Sequence, residues 1–581
     1  MKSPDLGHRC HVGIRGGNGF SEAGETPSSV RRGSDVVKFG WGFPRLAQFN
    51  SGYENMGKSH CLVTEACRLI KFDHIASVSC CREIFVISVI ICIASFGCAH
   101  SAHIYNVLDF GAVGNGISDD SQAFLKAWAR ACGDGGPNPS LRIPAGKTFL
   151  LKPVVFNGPC KSTAIGFQVL GNLIAPNTIE GWGGASNWLT FHGVDGLKIF
   201  GSGRIGGQGA VWWSRSCRRH PEKKCTDAPT ALLLDACNDL HVTGITLFDN
   251  PRNHISIDGC NSVYISSVTI TAPANSPNTD GIDIVHSQYV NIWQSTIGTA
   301  EHMNEVSNIV NQLSVMKMVL DDELQKCTDA PTALLLDACN DLHVTGITLF
   351  DNPRNHISID GCTSVYISSV TITAPANSPN TDGIDIVHSQ YVNIWQSTIG
   401  TGDDCIAIGN GGKNIKISWV HCGPGHGISI GSLGQDDGFA AVEQVQVLNC
   451  TFTGTSNGAR IKTWPGGSGY ARRISFEDMH MNDTDNPIII DQYYCDGHKC
   501  HNQTSASAVD VSDVRFVGFH GTSSKEVAIN LECSNTVGCT DIVLNNVQLT
   551  PAVPGMKLSS YCNNAHGPTC TSCVPQVPCL S

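Results

Sequence analysis

The chain has 581 residues with 61 glycines and 27 cysteines, only 15% of its residues are charged, and Val/Ile-rich runs alternate with Asn/Gly/Ser turns. This composition is typical of a β-rich folded protein and excludes a largely disordered one. The formal net charge of −12 argues against nucleic acid as a partner, and the heavy use of cysteine favours an oxidising compartment over the cytosol.

The N-terminal segment carries no sign of a packed fold. Residues 1–82 are Gly/Ser/Arg-rich without a sustained period, and we interpret them as an unstructured or artefactual extension. Residues 83–102 contain an apolar run, 84–96, that is too short to span a bilayer and resembles a secretory signal peptide. Because signal peptides begin a chain, either synthesis starts at Met56 or residues 1–82 are an error of the gene model. A secreted product without a stable membrane anchor is expected, and a buried strand is the alternative interpretation of the apolar run.

An amphipathic helix is predicted shortly after residue 103. Ser118 is a plausible N-cap, and apolar residues recur at helical spacing from Phe124 onward. Asp119 and Asp120 favour the positive end of a helix, so we assign this carboxylate pair to capping. If the chain stacks coils, as the repeats described below indicate, this helix could close the open N-terminal end of the stack.

A long segment of the chain occurs twice. Residues 224–299 and 326–401 have the same sequence, offset by 102 residues, apart from Asn261 in the first copy and Thr363 in the second. Structural repeats normally share a pattern, so near-identity indicates a recent duplication or a gene-model error. The intervening residues 300–325 have apolar residues at helical spacing and predict a helical insert. Whole coils can be added to a solenoid, but an insert that is not a coil should interrupt strand stacking.

A fixed period organises residues 380–462. Asp382, Asp404 and His426 are separated by 22 residues each, and each precedes a short Ile-x-Ile strand. This period predicts a solenoid whose strands stack about 4.8 Å apart from coil to coil. The three polar side chains should therefore lie at the same corner. Because stacked polar groups normally cost stability, this corner is a candidate active site.

Four motifs converge in this stretch: Asn380-Thr381-Asp382, Gly402-Asp403-Asp404-Cys405, Gly425-His426-Gly427 and Arg460-Ile461-Lys462. Together they resemble the signature of the polygalacturonases, glycoside hydrolase family 28, over about residues 103–581 without 300–326 and one copy of the duplication. The resemblance implies an all-β fold, a right-handed parallel β-helix of the pectin-lyase type. It also implies a secreted, plant-type, monomeric enzyme that hydrolyses α-1,4-galacturonosyl linkages of polygalacturonate or pectin in the cell wall, without a metal or other cofactor.

The acidic residues of the corner suit glycosidic bond cleavage, which needs an acid for the leaving oxygen and a carboxylate that activates water or acts as nucleophile. Asp382, Asp403 and Asp404 supply three carboxyl groups, whose repulsion should raise at least one pKa. By resemblance, Asp403 is the general acid, while Asp382 and Asp404 hold the attacking water and the anomeric carbon is inverted. Inverting enzymes need about 6.5–9.5 Å between acid and base, a gap that a one-residue offset between stacked coils could provide.

Substrate-binding residues are expected around the same corner. Arg460 and Lys462 share strand parity, so both can face the cleft and bind substrate carboxylates, Arg bidentately and Lys as a point charge. A solvated strand face is the alternative for these two residues. By resemblance, His426 tunes the acid and contacts the sugar without binding a metal, and Tyr494 contacts the substrate.

The cysteines and the Asn-x-Thr sequences give further expectations. By resemblance, Cys405 and Cys422 form a disulfide that braces the coil beneath the acids. Four cysteines of the tail are predicted to staple the open C-terminal end, with a zinc site at the Cys-x-x-Cys pair as the alternative: Cys562, Cys570, Cys573 and Cys579. Asn449, Asn482 and Asn502 are glycosylation acceptors in form.

The first copy repeats the first motif without the rest of the site. Asp280 corresponds to Asp382, but the text after Thr299 lacks the paired aspartates, so we predict that this copy is inert. Two hypotheses compete with hydrolysis. The duplication could displace the cleft floor and leave a silent β-helix or a carbohydrate-binding protein. A pectate lyase would need calcium ligands and a basic proton abstractor, which the four motifs supply poorly.

Overall fold

The computed structural model describes five segments of the chain: residues 103–216, 228–273, 276–298, 331–495 and 508–580. The predicted extension 1–82, the signal-like segment 83–102, the predicted helical insert 300–325 and Asn502 lie outside the described residues. In the segments that are described, no helix is long and apolar enough to cross a membrane.

The described residues form a parallel β-helix. One sheet contains 14 strands, one from each successive coil, and we call it the site sheet. The other sides of the coils form a connected sheet of 28 strands. Strands of neighbouring coils pair in parallel in both sheets, for example Ile384–Val387 with Ile406–Ile408. The predicted all-β parallel β-helix is confirmed.

The strand and helix bounds are as follows. The site sheet contains, in chain order, Val154–Asn157, Asn187–His192, Thr230–Asp235, Ile255–Asp258, Ile282–Val285, Leu334–Asp337, Ile357–Asp360, Ile384–Val387, Ile406–Ile408, Ile428–Leu433, Asn457–Thr463, Asn486–Asp491, Val527–Glu532 and Ser559–Asn563. The 28-stranded sheet contains Ile104–Asn106, Asn115–Asp119, Ser140–Ile143, Thr148–Leu150, Ile165–Val169, Asn172–Ile174, Leu197–Phe200, Arg204–Gly206, Asn238–Thr243, Thr246–Phe248, Asn261–Ser266, Thr269–Thr271, Gln288–Trp293, Thr296–Gly298, Asn340–Thr345, Thr348–Phe350, Thr363–Ser368, Thr371–Thr373, Gln390–Trp395, Thr398–Gly400, Lys413–Ser418, His421–Cys422, Phe439–Leu448, Thr451–Thr453, Ser468–Thr484, Asp510–Ser523, Cys539–Pro551 and Cys573–Val574. The α-helices are Ser121–Cys132 and Ala210–Trp213, and the 3-10 helices are Val107–Phe110, Ile179–Trp182 and Gln435–Asp437.

The 22-residue period appears as strand register. Ile384 pairs with Ile406, which pairs with Ile428, and all three side chains are fully buried. A fully buried isoleucine contributes about 1.5–3 kcal/mol, so this ladder stabilises each coil against the next. Because side chains alternate along a strand, the intervening residues, such as Asp385 and Ser429, point away from the core. The ladder therefore decides which side chains reach the outer face of the site sheet.

The predicted capping helix is present at the N-terminal end. Ser121–Cys132 packs against the first coils through its buried face. The predicted N-cap is wrong, because Ser118 lies in the preceding strand and the helix begins three residues later. Asp120 precedes the helix, but its carboxylate accepts hydrogen bonds from the backbone N–H groups of Val113 and Gly114, at 2.7 and 3.1 Å. This tertiary contact fixes the preceding turn.

The two copies of the duplication continue one stack. Ile282–Val285 of the first copy pairs with Leu334–Asp337 of the second, and Gln288–Trp293 pairs with Asn340–Thr345. The expectation that the insert would interrupt strand stacking is therefore wrong. A coil of a solenoid contacts only its neighbouring coils. The first strand after an insert can therefore pair with the preceding coil in the same way as a strand that follows a short turn.

Disulfides close the C-terminal end as predicted. Cys562 pairs with Cys579, and Cys570 pairs with Cys573, so the alternative of a zinc site at the last pair is wrong. Each such bond typically contributes about 2–4 kcal/mol. Three further disulfides have both cysteines among the described residues: Cys132–Cys160, Cys405–Cys422 and Cys533–Cys539.

Candidate active site

Coil stacking brings the predicted acids together. Asp382, Asp404 and His426 each lie two residues before a strand of the site sheet, and these three strands are consecutive neighbours. The backbone N–H of Asp404 donates to Asp382 Oδ1 at 2.8 Å. The backbone N–H of His426 donates to the carbonyl of Asp403 at 2.8 Å. The 22-residue spacing thus produces direct contacts from coil to coil.

Asp403 is partly exposed and bonded to the histidine. The Nδ1 atom of His426 lies 2.8 Å from Asp403 Oδ1, where the imidazole N–H donates to the carboxylate. The backbone N–H of Asp404 donates to the same oxygen at 2.9 Å. Burial raises the pKa of Asp403, but the His426 hydrogen bond and the charges of His426 and Lys462 outweigh it, so this pKa is lowered. In the free protein, Asp403 is therefore held toward its ionised form.

Asp404 is the most deeply buried of the three aspartates and is fully engaged. Its side chain is 1% exposed. Lys462 Nζ donates to Oδ2 at 2.7 Å, Ser429 Oγ donates to Oδ1 at 2.7 Å, and Arg460 Nη1 lies 3.7 Å from Oδ1. Burial lowers the pKa of Lys462, but the Asp404 carboxylate raises it by a larger amount, so the net shift is upward. The pair is therefore a buried ammonium–carboxylate contact at the floor of the site.

The pKa of Asp382 is raised, as the clustering of carboxyl groups predicts. Burial is the largest cause, and the charges of Asp385, Asp404 and Asp403 add to it, so the pKa of Asp382 lies well above its usual range. Burial likewise raises the pKa of Asp385 to about 6. Sequence reasoning did not select Asp385 as a site residue. Strand alternation was the available signal, because Asp385 is the outward residue between two buried isoleucines.

The carboxylates lie closer together than the sequence suggested. The nearest oxygens of Asp403 and Asp404 and a ring nitrogen of His426 all lie within 4.8 Å of one another. The expectation of a gap of about 6.5–9.5 Å is therefore wrong for Asp403 and Asp404. The two residues are adjacent in the chain, and the backbone N–H of Asp404 donates to Asp403 Oδ1, so the offset between coils does not set this distance. This group could also approach a cation, although Lys462 and Ser429 already occupy the Asp404 oxygens.

The predicted basic residues face the same cleft. Arg460 and Lys462 lie on the strand Asn457–Thr463 with one residue between them. The guanidinium carbon of Arg460 and the Nζ atom of Lys462 each lie 5.3 Å from the centre of the Tyr494 ring. Contacts of this kind contribute roughly 0.5–2 kcal/mol and fix the orientation of the groups. Both cations and the tyrosine line the cleft, as predicted, so the alternative of a solvated strand face is wrong.

The cleft encloses about 630 Å³ and is lined by residues of five consecutive coils, so it runs along the stack. Asn380 of the first motif also lines the cleft, and polar residues that the sequence did not single out complete its wall: Asn410, Ser456 and Asn457. The Nδ2 atom of Asn457 donates to the carbonyl of His426 at 3.3 Å, which supports the histidine turn. Beneath the site, Cys405 and Cys422 form the disulfide that the resemblance implies.

The first copy lacks the acids of the second. The backbone N–H of Thr332 donates to Asp280, as that of Asp404 donates to Asp382. The register places Thr332 and Pro331 where the second copy has Asp404 and Asp403. Among the described residues, the first copy therefore presents Asp280 of the catalytic set without aspartates at the positions that correspond to Asp403 and Asp404.

The family model for glycosyl hydrolases family 28 matches residues 132–321 and 317–573. A probable polygalacturonase from Arabidopsis thaliana is 38% identical over 483 residues, covering 83% of this chain and 81% of that protein. A polygalacturonase from Malus domestica is 35% identical over 444 residues, covering 76% of this chain and 74% of that protein. A solved polygalacturonase from Erwinia carotovora is 18% identical, covers 79% of this chain and 97% of its own, and has a TM-score of 0.34. With the family model and the relatives both spanning most of its length, the chain belongs to the glycosyl hydrolases of family 28.

Proposed function

We propose that the protein is a polygalacturonase that hydrolyses α-1,4-galacturonosyl linkages of pectin with inversion. One observation carries the proposal: four carboxyl groups and two cations face a single cleft, the arrangement that hydrolysis of an acidic glycan requires. The relatives named above as polygalacturonases support the same activity. A silent β-helix is disfavoured because the duplication leaves the second copy joined directly to the coils of Asp404 and His426.

Arg460 and Lys462 would bind the substrate carboxylate. The chain has a net charge of −12, so attraction of a polyanion depends on local cations. Lys462 is engaged with Asp404, whereas the buried Nε atom of Arg460 has no acceptor within the described part of the chain. An unpaired buried donor costs about 1–3 kcal/mol, which a bound carboxylate would recover. Tyr494 would orient both groups.

The carboxyl groups would divide the chemistry between them. Asp403 gives its proton to the glycosidic oxygen as that bond breaks, and water attacks the anomeric carbon from the opposite face. Asp382 takes the proton of that water, and Asp404, held by Lys462 and Ser429, helps to position it. A substrate carboxylate bound near Lys462 offsets the positive charge that lowers the pKa of Asp403, so binding would favour its protonated form.

Incubation with de-esterified polygalacturonate tests this proposal. We expect new reducing ends without an ultraviolet-absorbing product, and proton NMR should show the β-anomer first because the bond cleaved is α-linked. An unsaturated product would identify a lyase, and first appearance of the α-anomer would contradict inversion. No turnover by a folded protein would favour the silent or carbohydrate-binding alternative.

The duplication offers a matched pair of substitutions. We expect Asp382→Asn to lower kcat/KM on polygalacturonate by about 10²–10⁴-fold, whereas Asp280→Asn should change it less than about twofold. The reason is that Asp280 faces Thr332 where Asp382 faces Asp404. Initial rates of reducing-end release measure both variants. A large loss in Asp280→Asn would show that the first copy takes part in the reaction.

We further propose that the protein is secreted and acts on the cell wall as a monomer. Disulfides such as Cys405–Cys422 suit an oxidising compartment, and their number supports secretion. Asn482 is exposed and Asn449 is partly buried, so glycosylation is more accessible at Asn482; Asn502 lies outside the described residues. Loss of mass on treatment with an N-glycosidase would test all three acceptors, and size-exclusion chromatography would test the monomer.

A further inference from the structure

Asp385 lies in the cleft and has no role in the proposed reaction so far. It is the outward residue of the strand Ile384–Val387, follows Asp382 by three positions, and lines the cleft. In the sheet it pairs with Ser358 on one side and Ala407 on the other, neither of which carries charge. A partly buried carboxyl group between neutral neighbours needs a reason for its position.

The hydrogen bonds of the two carboxyl groups can be counted oxygen by oxygen. The side-chain amide of Asn355 donates to Asp385 Oδ2, while no N–H or hydroxyl donor of the described chain reaches the buried Oδ1. The backbone N–H of Asp404 donates to Asp382 Oδ1. The Asp382 side chain lines the same cleft, three residues before Asp385. Two neighbouring carboxyl groups attract each other only when a proton lies between them, so Asp385 Oδ1, which lacks a donor, is placed to share one with Asp382.

We propose that Asp385 is a positioning residue, which holds the Asp382 carboxyl through this shared proton and so fixes the oxygen that Asp382 presents to the attacking water. This inference rests on the proposed hydrolysis. Asn355 anchors Asp385 from one side and the Asp404 backbone anchors Asp382 from the other. The proton completes a continuous row of hydrogen bonds across the floor of the cleft, from one coil to the next.

The surrounding charges agree with a shared proton. Burial raises the pKa of Asp385, and the charges of Asp404 and Asp403 raise it further, while the neighbouring Asp382 carboxyl and Arg354 act in the opposite direction. Burial and the charge of Asp385 are the two largest causes that raise the pKa of Asp382. Removing the Asp385 carboxylate should therefore lower the pKa of Asp382.

The first copy contains the equivalent residue Asp283, which serves as a matched control for substitutions at Asp385. The amide of Asn253 donates to Asp283 Oδ2, and the buried Asp283 Oδ1 has no donor within the described part of the chain, as at Asp385. Burial and the charge of Asp280 raise the pKa of Asp283 as well. The coil that follows brings Thr332 in place of a second aspartate. Substitutions at Asp283 therefore repeat the packing change without touching the proposed reaction.

Four variants test the proposal: Asp385→Leu, Asp385→Asn, Asp283→Leu and Asp283→Asn. We expect Asp385→Leu, which cannot bond to Asp382, to lower kcat roughly 100-fold with little change in KM. Asp385→Asn can still donate to Asp382, so kcat should stay within about tenfold of the parent protein. Its kcat/KM profile should show the acidic limb moved to lower pH, because Asp382 loses a neighbouring negative charge. Neither Asp283 variant should alter kcat or the pH profile.

Wild-type kcat in Asp385→Leu, or an unmoved acidic limb in Asp385→Asn, would overturn the proposal. Equal losses in the Asp385 and Asp283 variants would also overturn it, since they would indicate packing alone. Carboxyl carbon NMR of the free protein needs no turnover and separates this inference from the proposed function. Two coupled titrations, lost in Asp385→Leu, support the shared proton even if polygalacturonate is not hydrolysed; independent titrations contradict it.

Discussion

Asp403→Asn is expected to reduce hydrolysis of polygalacturonate by about 10²–10⁴-fold while leaving its binding nearly unchanged. Asparagine matches aspartate in shape and can occupy the same place beside His426, but it has no proton of suitable acidity for the leaving oxygen. Binding should persist because Arg460 and Lys462 are untouched. The loss should therefore appear in kcat, with KM close to that of the parent protein.

The expected size of this loss depends on how Asp403 obtains its proton. In the free protein, the His426 hydrogen bond and the Lys462 charge keep the pKa of Asp403 low despite burial. Asp403 can bind a proton in the complex if the substrate carboxylate, which adds negative charge beside Lys462, raises the pKa of Asp403. If so, wild-type kcat/KM and kcat should show different pH dependences, since one reports the free protein and the other the complex.

Isothermal titration with a galacturonate oligomer measures binding by Asp403→Asn, and release of reducing ends measures its turnover. Asp436→Asn is a suitable control, because Asp436 is exposed and does not line the cleft. Substantial residual turnover by Asp403→Asn would refute the assignment of Asp403 as the acid. A variant that neither binds nor turns over would instead indicate that the Asp403–His426 contact maintains the cleft.

Most of the site could be predicted from the sequence because a β-helix converts spacing into proximity. The step of 22 residues between Asp382, Asp404 and His426 became a set of neighbouring positions, since each coil repeats the path of the last. Parity likewise placed Arg460 and Lys462 on one face, because side chains alternate along a strand. These predictions depend only on the backbone.

The remaining features depend on side-chain contacts that the period does not describe. Asp403 lies in a turn, where strand parity does not apply, and its position follows from His426. The short distance between Asp403 and Asp404 reflects the partners of each carboxylate. Asp385 and Ser429 stand at outward positions of the same strands, but their importance appears only when their hydrogen bonds to Asn355 and Asp404 are known.

Lys462 makes the most deeply buried charge contact of the site. Its side chain is 10% exposed, that of Asp404 is 1% exposed, and the two are 2.7 Å apart. A buried pair is not necessarily a source of net stability, because both charges lose their hydration. Removing one partner is nevertheless costly, since the other remains as an uncompensated charge. Ser429 and Arg460 stay near Asp404 and should offset part of that cost.

We therefore expect Lys462→Met to lower the free energy of unfolding by an amount near the lower end of the ~3–5 kcal/mol range for broken buried pairs. It should also raise KM for polygalacturonate, because a substrate carboxylate loses one of its two cations, and lower kcat, because Asp404 loses the cation that holds its carboxylate in place. Urea unfolding and initial rates measure the two effects. Lys413→Met is the control: Lys413 is 46% exposed and pairs with Glu443 at 2.9 Å, and Arg472 and Arg473 also contact that carboxylate, so loss of Lys413 should change both quantities far less. Unchanged stability in Lys462→Met would contradict the cost expected for breaking this buried pair, and unchanged KM would contradict a role of Lys462 in binding the substrate.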